Sequence, residues 1–314
     1  MARFILQRLL ALVPLLLVVS LLVFAMVLLI PGDPAYQLAG EDATPEEVEA
    51  IREDLGLNDP VLVRYGRWLG RVVQGDLGTS LFSDQPVLEV ILERLPVTLS
   101  LAAAAIVISL VVSIPAGLIA GTRPGTAADR VVTVGSSLGL AVPNFWLGLM
   151  LVLILAIRNP WFPATGYVPI SESLLGWWQH IALPAFTLGF SAAAILTRQL
   201  RGAMVEVMEQ DYVRTARAKG LPYRKVVGKH ALKNAAIPMV TILGVQVNAL
   251  LGGTIIVEQV FGMPGIGQLA VASVFTRDLP MIQGVVVMAV LVAVLVNLLV
   301  DISYGYFNPK VRPQ

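Results

Sequence analysis

The sequence predicts an all-α integral membrane protein with six membrane-spanning helices. Apolar residues make up 56% of its 314 residues and charged residues only 14%, with a mean hydropathy of +0.78, values outside the usual range for soluble domains. The apolar residues cluster into runs near the roughly 20 residues that a helix needs to cross a bilayer. The predicted spans are residues 9–30, 98–121, 132–157, 181–198, 236–258 and 280–303.

The first apolar run, residues 9–30, is interpreted as an uncleaved span and not as a signal peptide. It is longer than the roughly 7 to 15 apolar residues at the centre of a typical signal peptide, and no convincing small-residue cleavage site follows at once. We therefore assign residues 1–94 to an N-terminal membrane helix and a helical region outside the cytoplasm.

Two short helices are predicted in this outer region. Residues 44–47 (Thr-Pro-Glu-Glu) place a capping threonine, a proline at the first helical position and a glutamate able to close a capping box, and Gly56 ends that helix. A second, amphipathic helix is predicted between Pro60 and Gly75. Such helices either pack on the ends of the spans or contact an external partner.

The distribution of Lys and Arg predicts that both termini are cytoplasmic. With the N-terminus inside, fifteen of the 22 Lys and Arg residues fall on the cytoplasmic side, where positive residues are enriched. The seven outside are Arg52, Arg64, Arg67, Arg71, Arg94, Arg158 and Arg277.

Several classes of site are disfavoured by composition. The chain has no Cys, and its two histidines, His180 and His230, are far apart in sequence, so no metal site is expected. A net charge of +1 does not suggest a nucleic-acid partner. No phosphate-binding G-x-x-x-x-G-K-[ST] motif is present, so we expect no ATPase activity and no enzymatic role for this chain.

A polar segment between the fourth and fifth spans, residues 199–235, is too regular for a disordered tail. Its apolar spacing predicts one helix that includes both Met204 and Lys219 and ends at Gly220, and Pro222 suits the start of a second, basic helix. Acidic residues come early and basic residues late in the first helix, as a helix dipole favours. The segment is either a membrane-surface helix against anionic headgroups or a docking surface for a protein.

The spacing Arg214-Thr215-Ala216-x-x-x-Gly220 resembles the loop that docks into the ATPase in permease subunits of ATP-binding-cassette importers. The resemblance is strongest to the dipeptide, oligopeptide and nickel permeases, where arginine in place of the general motif's glutamate is typical. It covers almost the whole chain, with further matches at residues 29–35, 55–60, 75–80, 230–238, 257–267 and 277–280. Residues 308–310 (Asn-Pro-Lys) depart from the family's frequent Asp-Pro-Arg.

This resemblance implies the type I importer permease fold, with a helical extracytoplasmic insertion after the first span. It implies a permease domain over residues 95–304 and a cytoplasmic tail over residues 305–314. The implied partners are a second homologous permease, two ATPase subunits that bind ATP and Mg²⁺, and an extracytoplasmic substrate-binding protein. The chain would lie in the cytoplasmic membrane of a bacterium or archaeon and would bind no cofactor itself.

The implied coupling segment is residues 211–222, which the ATPases would move when they close on ATP. Gly220 would set the angle between its helices, because glycine adopts left-handed backbone without a Cβ penalty; an ordinary helix stop uses the same chemistry. Apolar contacts with the ATPase are expected from Tyr212, Val213, Ala216 and Leu221. The full candidate set is Tyr212, Val213, Arg214, Thr215, Ala216, Arg217, Ala218, Lys219, Gly220 and Leu221.

A second candidate site is an outer loop within residues 257–267. Similar loops in the family lie over the outer mouth of the pathway, so we expect a gate with an apolar tip that meets the binding protein. Plain loop packing is the alternative. The candidate gate residues are Glu258, Phe261, Met263, Pro264 and Gly265.

Polar residues inside the spans are interpreted first as interhelical hydrogen-bonding groups, since such bonds commonly hold membrane bundles together. They are Asn144, Gln246, Asn248 and Asn297, with Glu258 and Asp301 near span ends. The small residues of the fifth span, expected to allow close helix approach, are Gly244, Gly252 and Gly253.

Three functional classes remain in competition at this stage. An ATP-driven importer of di- or oligopeptides leads, and the same machine could carry nickel, glutathione or another small solute. An ion-coupled secondary transporter is disfavoured, because it would use ionisable groups at mid-span and almost none are present. A membrane scaffold without transport activity is the third class.

Overall fold

The computed structural model describes residues 2–28, 34–40, 43–54 and 56–307. Regular secondary structure in these ranges is helical, apart from an isolated bridge between Thr79 and Pro86. The α-helices are α1 Ala2–Leu28, α2 Pro34–Ala39, α3 Pro45–Asp54, α4 Val61–Val73, α5 Val87–Thr122, α6 Ala127–Ala141, α7 Asn144–Val152, α8 Leu174–Met208, α9 Asp211–Ala218, α10 Tyr223–Lys225, α11 Leu232–Val260, α12 Ile266–Thr276 and α13 Leu279–Phe307. Wider π-helical turns extend α7 over Leu153–Arg158 and join α10 to α11 over Val226–Ala231.

Four helical segments of the described chain are long and apolar enough to cross a membrane. They contain the predicted spans 98–121, 181–198, 236–258 and 280–303, and each extends beyond the predicted limits. Helix α1 contributes the shorter apolar stretch Val13–Met26. The prediction of an all-α membrane protein is therefore confirmed, with four such helices, or five if a bent pair is one span.

The bent pair is α6 and α7, and it stands where one span was predicted over residues 132–157. The two helices meet at an angle of 98°. Val142 and Pro143 are extended between them, and Pro143 is the N-cap of α7. Proline disfavours helical backbone in the residue before it and cannot donate the next helical hydrogen bond. The break between α6 and α7 could therefore have been predicted from Pro143.

The two helices predicted after the first span are both present as α3 and α4. Thr44 and Glu47 form the expected reciprocal cap: the Glu47 amide donates to Thr44 Oγ1 at 3.3 Å, and the Thr44 amide donates to Glu47 Oε2 at 2.9 Å. Gly56 has φ +63°, which fits a stop after α3. The sequence prediction of the second helix between Pro60 and Gly75 matches α4.

Two compact units divide the chain. The first comprises residues 1–94 and 269–294, and its core includes Phe24 of α1 packed edge-on against Tyr65 of α4, with ring centroids 5.5 Å apart. The second comprises residues 95–268 and 295–314. Its two largest clusters centre on α8, one around Leu188 and one around Leu200.

Within the second unit, α11 makes the close contacts expected of its small residues at two positions. A side chain at Gly253 would lie 2.8 Å from Leu188 Cδ1, and one at Gly244 would collide with Val300, whereas Gly252 faces open space. Asn248 donates to Asn297 Oδ1 at 2.7 Å, the predicted kind of interhelical bond. The Asp301 side chain, residues 29–33 and residues 308–310 lie outside the described part.

Candidate functional site

The polar segment begins within α8, which continues past the predicted span to Met208. The single helix predicted from Met204 to Lys219 is wrong, because the chain breaks at Glu209 and Gln210. Gln210 has an extended backbone (φ −66°, ψ 146°) and starts α9 as its N-cap. After this break, α9 buries its own apolar side.

The end of α9 is a Schellman motif centred on Gly220. Gly220 has φ +75° and donates its amide to the Arg217 carbonyl at 2.9 Å, while the Leu221 amide donates to the Ala216 carbonyl at 3.4 Å. Leu221 packs on the cluster that contains Ala216, which completes the motif's usual apolar contact. Pro222 then caps α10. The predicted sequence of helix, glycine turn and helix is present.

The apolar side of α9 is buried against its own chain. Val213 and Ala216 lie three residues apart on one face and form a cluster with Val226, flanked by Val207 and Met208. Val213 has no exposed surface. Val213 and Ala216 therefore pack within the chain, where burial of their side chains fixes the orientation of α9, and they present little surface to a partner.

The rest of α9 is exposed and carries the cations Arg214 and Arg217 beside the anion Asp211. Tyr212 is 44% exposed, and Arg214 forms only a loose surface pair with Asp211 at 3.5 Å. Such a pair adds little stability, so the Arg214 guanidinium stays available to another partner. The exposed candidates are Tyr212, Arg214, Thr215, Arg217, Ala218, Lys219 and Gly220, with Leu221 half-buried.

Tyr223 is an exposed aromatic residue that the sequence reasoning did not single out. It begins α10, directly after the Gly220 turn, and is 52% exposed. The adjacent Arg224 and Lys225 are exposed as well. An amphipathic aromatic ring among cations is typical of protein contact surfaces, so we add Tyr223 to the candidate surface.

An ion pair between Asp129 and Arg201 links α6 to α8 near the start of the polar segment. Arg201 of α8 donates through Nε to Asp129 Oδ1 at 2.5 Å and through Nη2 to Oδ2 at 2.8 Å. The Gly125 amide donates to Asp129 Oδ2 at 2.8 Å, and Thr126 caps α6. This forked geometry is the strongest that a guanidinium and a carboxylate can form. It ties the start of α6 to α8 two turns before α8 ends.

Four of the five outer-loop candidates are buried in the second unit, and Pro264 is half-buried. Phe261 and Met263 are buried in the cluster around Leu188, and the Phe261 carbonyl accepts the Gly166 amide at 3.0 Å. An apolar tip displayed to a partner is therefore not what this structure contains. The arrangement is the one that the loop-packing alternative predicts.

Glu258 is fully buried and holds this loop to two helices. Its Oε1 accepts from the Thr98 hydroxyl of α5 at 2.7 Å, and its Oε2 accepts from the Gln268 amide in the first turn of α12 at 3.0 Å. The Ile266 amide donates to Thr98 Oγ1 at 2.8 Å. A side chain at Gly265 would collide with the Glu258 carboxylate. Pro264 lies in the loop between these anchored positions.

We predict that Phe261→Ser and Met263→Ser lower stability before they change any gating. Each would remove a large buried side chain and place a hydroxyl in an apolar cluster, at a cost of about 3 kcal/mol or more for the phenylalanine. Thermal unfolding in detergent measures this effect. Phe275→Ser is the matched control, since that ring is 84% exposed. Wild-type stability combined with a selective loss of transport would instead support a gate.

Comparison with known proteins gives matches along the whole chain. The putative peptide transport system permease protein of Brucella abortus (strain 2308) is 42% identical over 99% of both chains. The oligopeptide transport system permease protein AppB of Bacillus subtilis (strain 168) is 40% identical over 99% of this chain and 100% of its own. The glutathione transport system permease protein GsiC of Escherichia coli O6:H1 is 40% identical over 99% of each.

A solved structure and two family matches agree with these relatives. The MetNI methionine ABC transporter in inward-facing conformations has a chain that superposes with a TM-score of 0.57 at 18% identity, covering 70% of this chain and 97% of that one, and so shares its fold. Residues 1–102 match the N-terminal family of binding-protein-dependent transport system membrane components. Residues 113–313 match the family described as binding-protein-dependent transport system inner membrane component. The chain belongs to this family of inner-membrane transport permeases.

Proposed function

We propose that this chain is a permease subunit of an ATP-binding-cassette importer of di- and oligopeptides. The proposal rests on the position of α9. The buried side of this short helix packs against the end of α8, and its exposed side carries Arg214 and Arg217. A surface of this kind suits the transfer of movement from a separate ATPase into a long membrane helix. The names of relatives at about 40% identity favour peptides as cargo.

The proposed machine contains a second homologous permease, two ATPases that bind ATP and Mg²⁺, and an extracytoplasmic substrate-binding protein. In its membrane topology α1 is the first span and the bent pair α6 and α7 is the third, giving six spans with both termini in the cytoplasm. The Lys and Arg bias supports this orientation. The coupling segment then lies on the cytoplasmic side, and α3 and α4 lie outside.

Transport assays test the cargo and the energy source together. Vesicles that hold the co-expressed subunits should accumulate a labelled dipeptide or pentapeptide only with ATP and binding protein present. Glutathione is the second candidate, favoured by the relative named for its transport. Uptake that persists without ATP and collapses with an ionophore would instead identify an ion-coupled carrier.

We predict that Ala218→Cys cross-links to the ATPase whereas Ala216→Cys does not. The chain has no Cys, so each variant carries one thiol. Ala218 is exposed and Ala216 is only 6% exposed, although both lie on α9. A membrane-impermeant maleimide should label Ala218→Cys from the cytoplasmic side, and a short bifunctional reagent should join it to the ATPase. Equal labelling of both positions would contradict the orientation of α9.

A further inference from the structure

Helix α4 concentrates positive charge that the coupling function does not use. Arg64, Arg67 and Arg71 are spaced by three and four residues, so they lie along one side of the helix. Helix α4 contains no acidic residue. These three are among the seven cations placed outside the cytoplasm.

The three arginines line a cavity of about 180 Å³ in the first unit. Apolar side chains of Phe24, Trp68 and Leu279 line it as well. Arg67 pairs with Asp59 at 2.8 Å. Arg64 and Arg71 have no carboxylate partner among the described residues, so the cavity keeps an excess of positive charge beside an apolar wall.

A second, apolar groove of about 220 Å³ lies next to this cavity along the same helices. On α1 the groove reaches Ser20 and the cavity reaches Phe24, and on α13 the groove reaches Val287 and the cavity reaches Gln283. Four residues are about one helical turn, so the two spaces are neighbours. The groove is lined by Leu16, Val19, Ser20, Leu69, Val72, Val73, Val287, Val290 and Leu291.

We propose that this paired site binds an anionic phospholipid, with its phosphate at Arg64 and Arg71 and an acyl chain in the groove. A guanidinium binds phosphate oxygens in a forked geometry, which suits the cavity. Exposed apolar side chains elsewhere on α1, such as Val18 and Leu22, are the kind of surface that a bilayer would cover. The site rests on the membrane placement of the proposed function, with α4 at the outer interface.

Aromatic residues support an interfacial position for α4. Tyr65 and Trp68 lie on its core-facing side, and the Tyr65 hydroxyl shares a hydrogen bond of 2.8 Å with the Ser20 hydroxyl of α1. Tyrosine and tryptophan are enriched where a membrane meets water. A free peptide carboxylate could also meet the arginines, but it would not need an apolar groove one turn deeper.

Native mass spectrometry tests the proposal on the full-length chain purified with its co-expressed subunits. The probes are palmitoyl-oleoyl phosphatidylglycerol, the zwitterionic phosphatidylcholine with the same chains, and free glycerol 3-phosphate. We expect retention of phosphatidylglycerol over phosphatidylcholine, and about a thirtyfold loss of that preference in the Arg64→Gln/Arg71→Gln double variant, which corresponds to roughly 2 kcal/mol for the two cations removed. Arg158→Gln is the control, a cation predicted outside but remote in sequence from α4.

A variant in the groove distinguishes binding of the lipid headgroup from binding of its acyl chain. Val287→Trp should fill the groove and lower phosphatidylglycerol retention while leaving the arginines in place. Equal retention of both lipids, or binding of glycerol 3-phosphate as tight as that of the lipid, would overturn the proposal. Unfolding temperatures near wild type exclude misfolding as the cause of a loss. Retained lipid binding without any ATP-driven uptake would refute the proposed function and leave this site standing.

Discussion

Gly220→Pro should strongly reduce ATP-driven uptake while the chain still reaches the membrane. Gly220 holds φ +75°, whereas proline is restricted to about −65°, so the variant cannot form the observed turn. Proline also lacks the amide that donates to the Arg217 carbonyl. The expected result is that α9 and α10 lose their fixed angle, and that uptake falls at least about tenfold, the effect of roughly 1.4 kcal/mol in coupling.

Measurement of uptake and ATP hydrolysis in the same vesicles checks this prediction. Hydrolysis should continue without a matching uptake, because the ATPases carry the chemistry in the proposed machine. Gly220→Ala is the graded control: no atom lies within 4 Å of an added Cβ, so only the left-handed backbone cost of about 1–2 kcal/mol applies. Uptake by Gly220→Pro at the wild-type level would mean that the turn transmits no movement.

Interactions between residues close in sequence made the ends of several helices predictable from the sequence. The cap formed by Thr44 and Glu47, the stop at Gly220 and the start after Pro222 depend on neighbours within a few residues, and the structure contains all three. The break at Pro143 carried the same kind of signal, but the long apolar run around it favoured an uninterrupted span. The spacing of apolar residues indicates which positions of a helix are buried, but it does not indicate whether the helix is straight.

Tertiary burial at the candidate sites was less predictable. Val213 and Phe261 are apolar residues in segments between membrane helices, and sequence alone does not distinguish an apolar contact with a partner from one within the chain. Both are buried in their own unit. The pair of Asp129 and Arg201 joins residues 72 positions apart, beyond the reach of any motif in the chain.

The geometry of α8 links these local features to the proposed function. Helix α8 runs without a break from Leu174 to Met208, and its buried residues include both Leu188 in one core cluster and Leu200 in the next. Because packed helices shift as rigid elements, movement of α9 would reach both clusters. The Asp129–Arg201 pair joins α6 to α8 beside the second cluster, between Leu200 and Met204, so it is a suitable point at which to test the connection.

Arg201→Gln should damage the chain more than Asp129→Asn, and the double variant should recover part of the loss. Arg201→Gln alone leaves the Asp129 carboxylate buried, with the Gly125 amide and the Thr133 hydroxyl as its remaining donors among the described residues. Asp129→Asn alone leaves a guanidinium that is one-third exposed and can reach water. The double variant buries no uncompensated charge. Such a charge is the main cost when only one member of a buried pair is removed.

Unfolding temperature and uptake per ATP hydrolysed are the two measurements for this cycle. If the pair only stabilises the fold, then both quantities should recover together in the double variant. If it positions α8, then coupling should stay low even when stability returns, because two short amides do not reproduce the forked bond. Arg198→Gln provides the control, an exposed arginine one turn earlier on α8. An Arg201→Gln variant as stable and as well coupled as this control would show that the pair contributes to neither property.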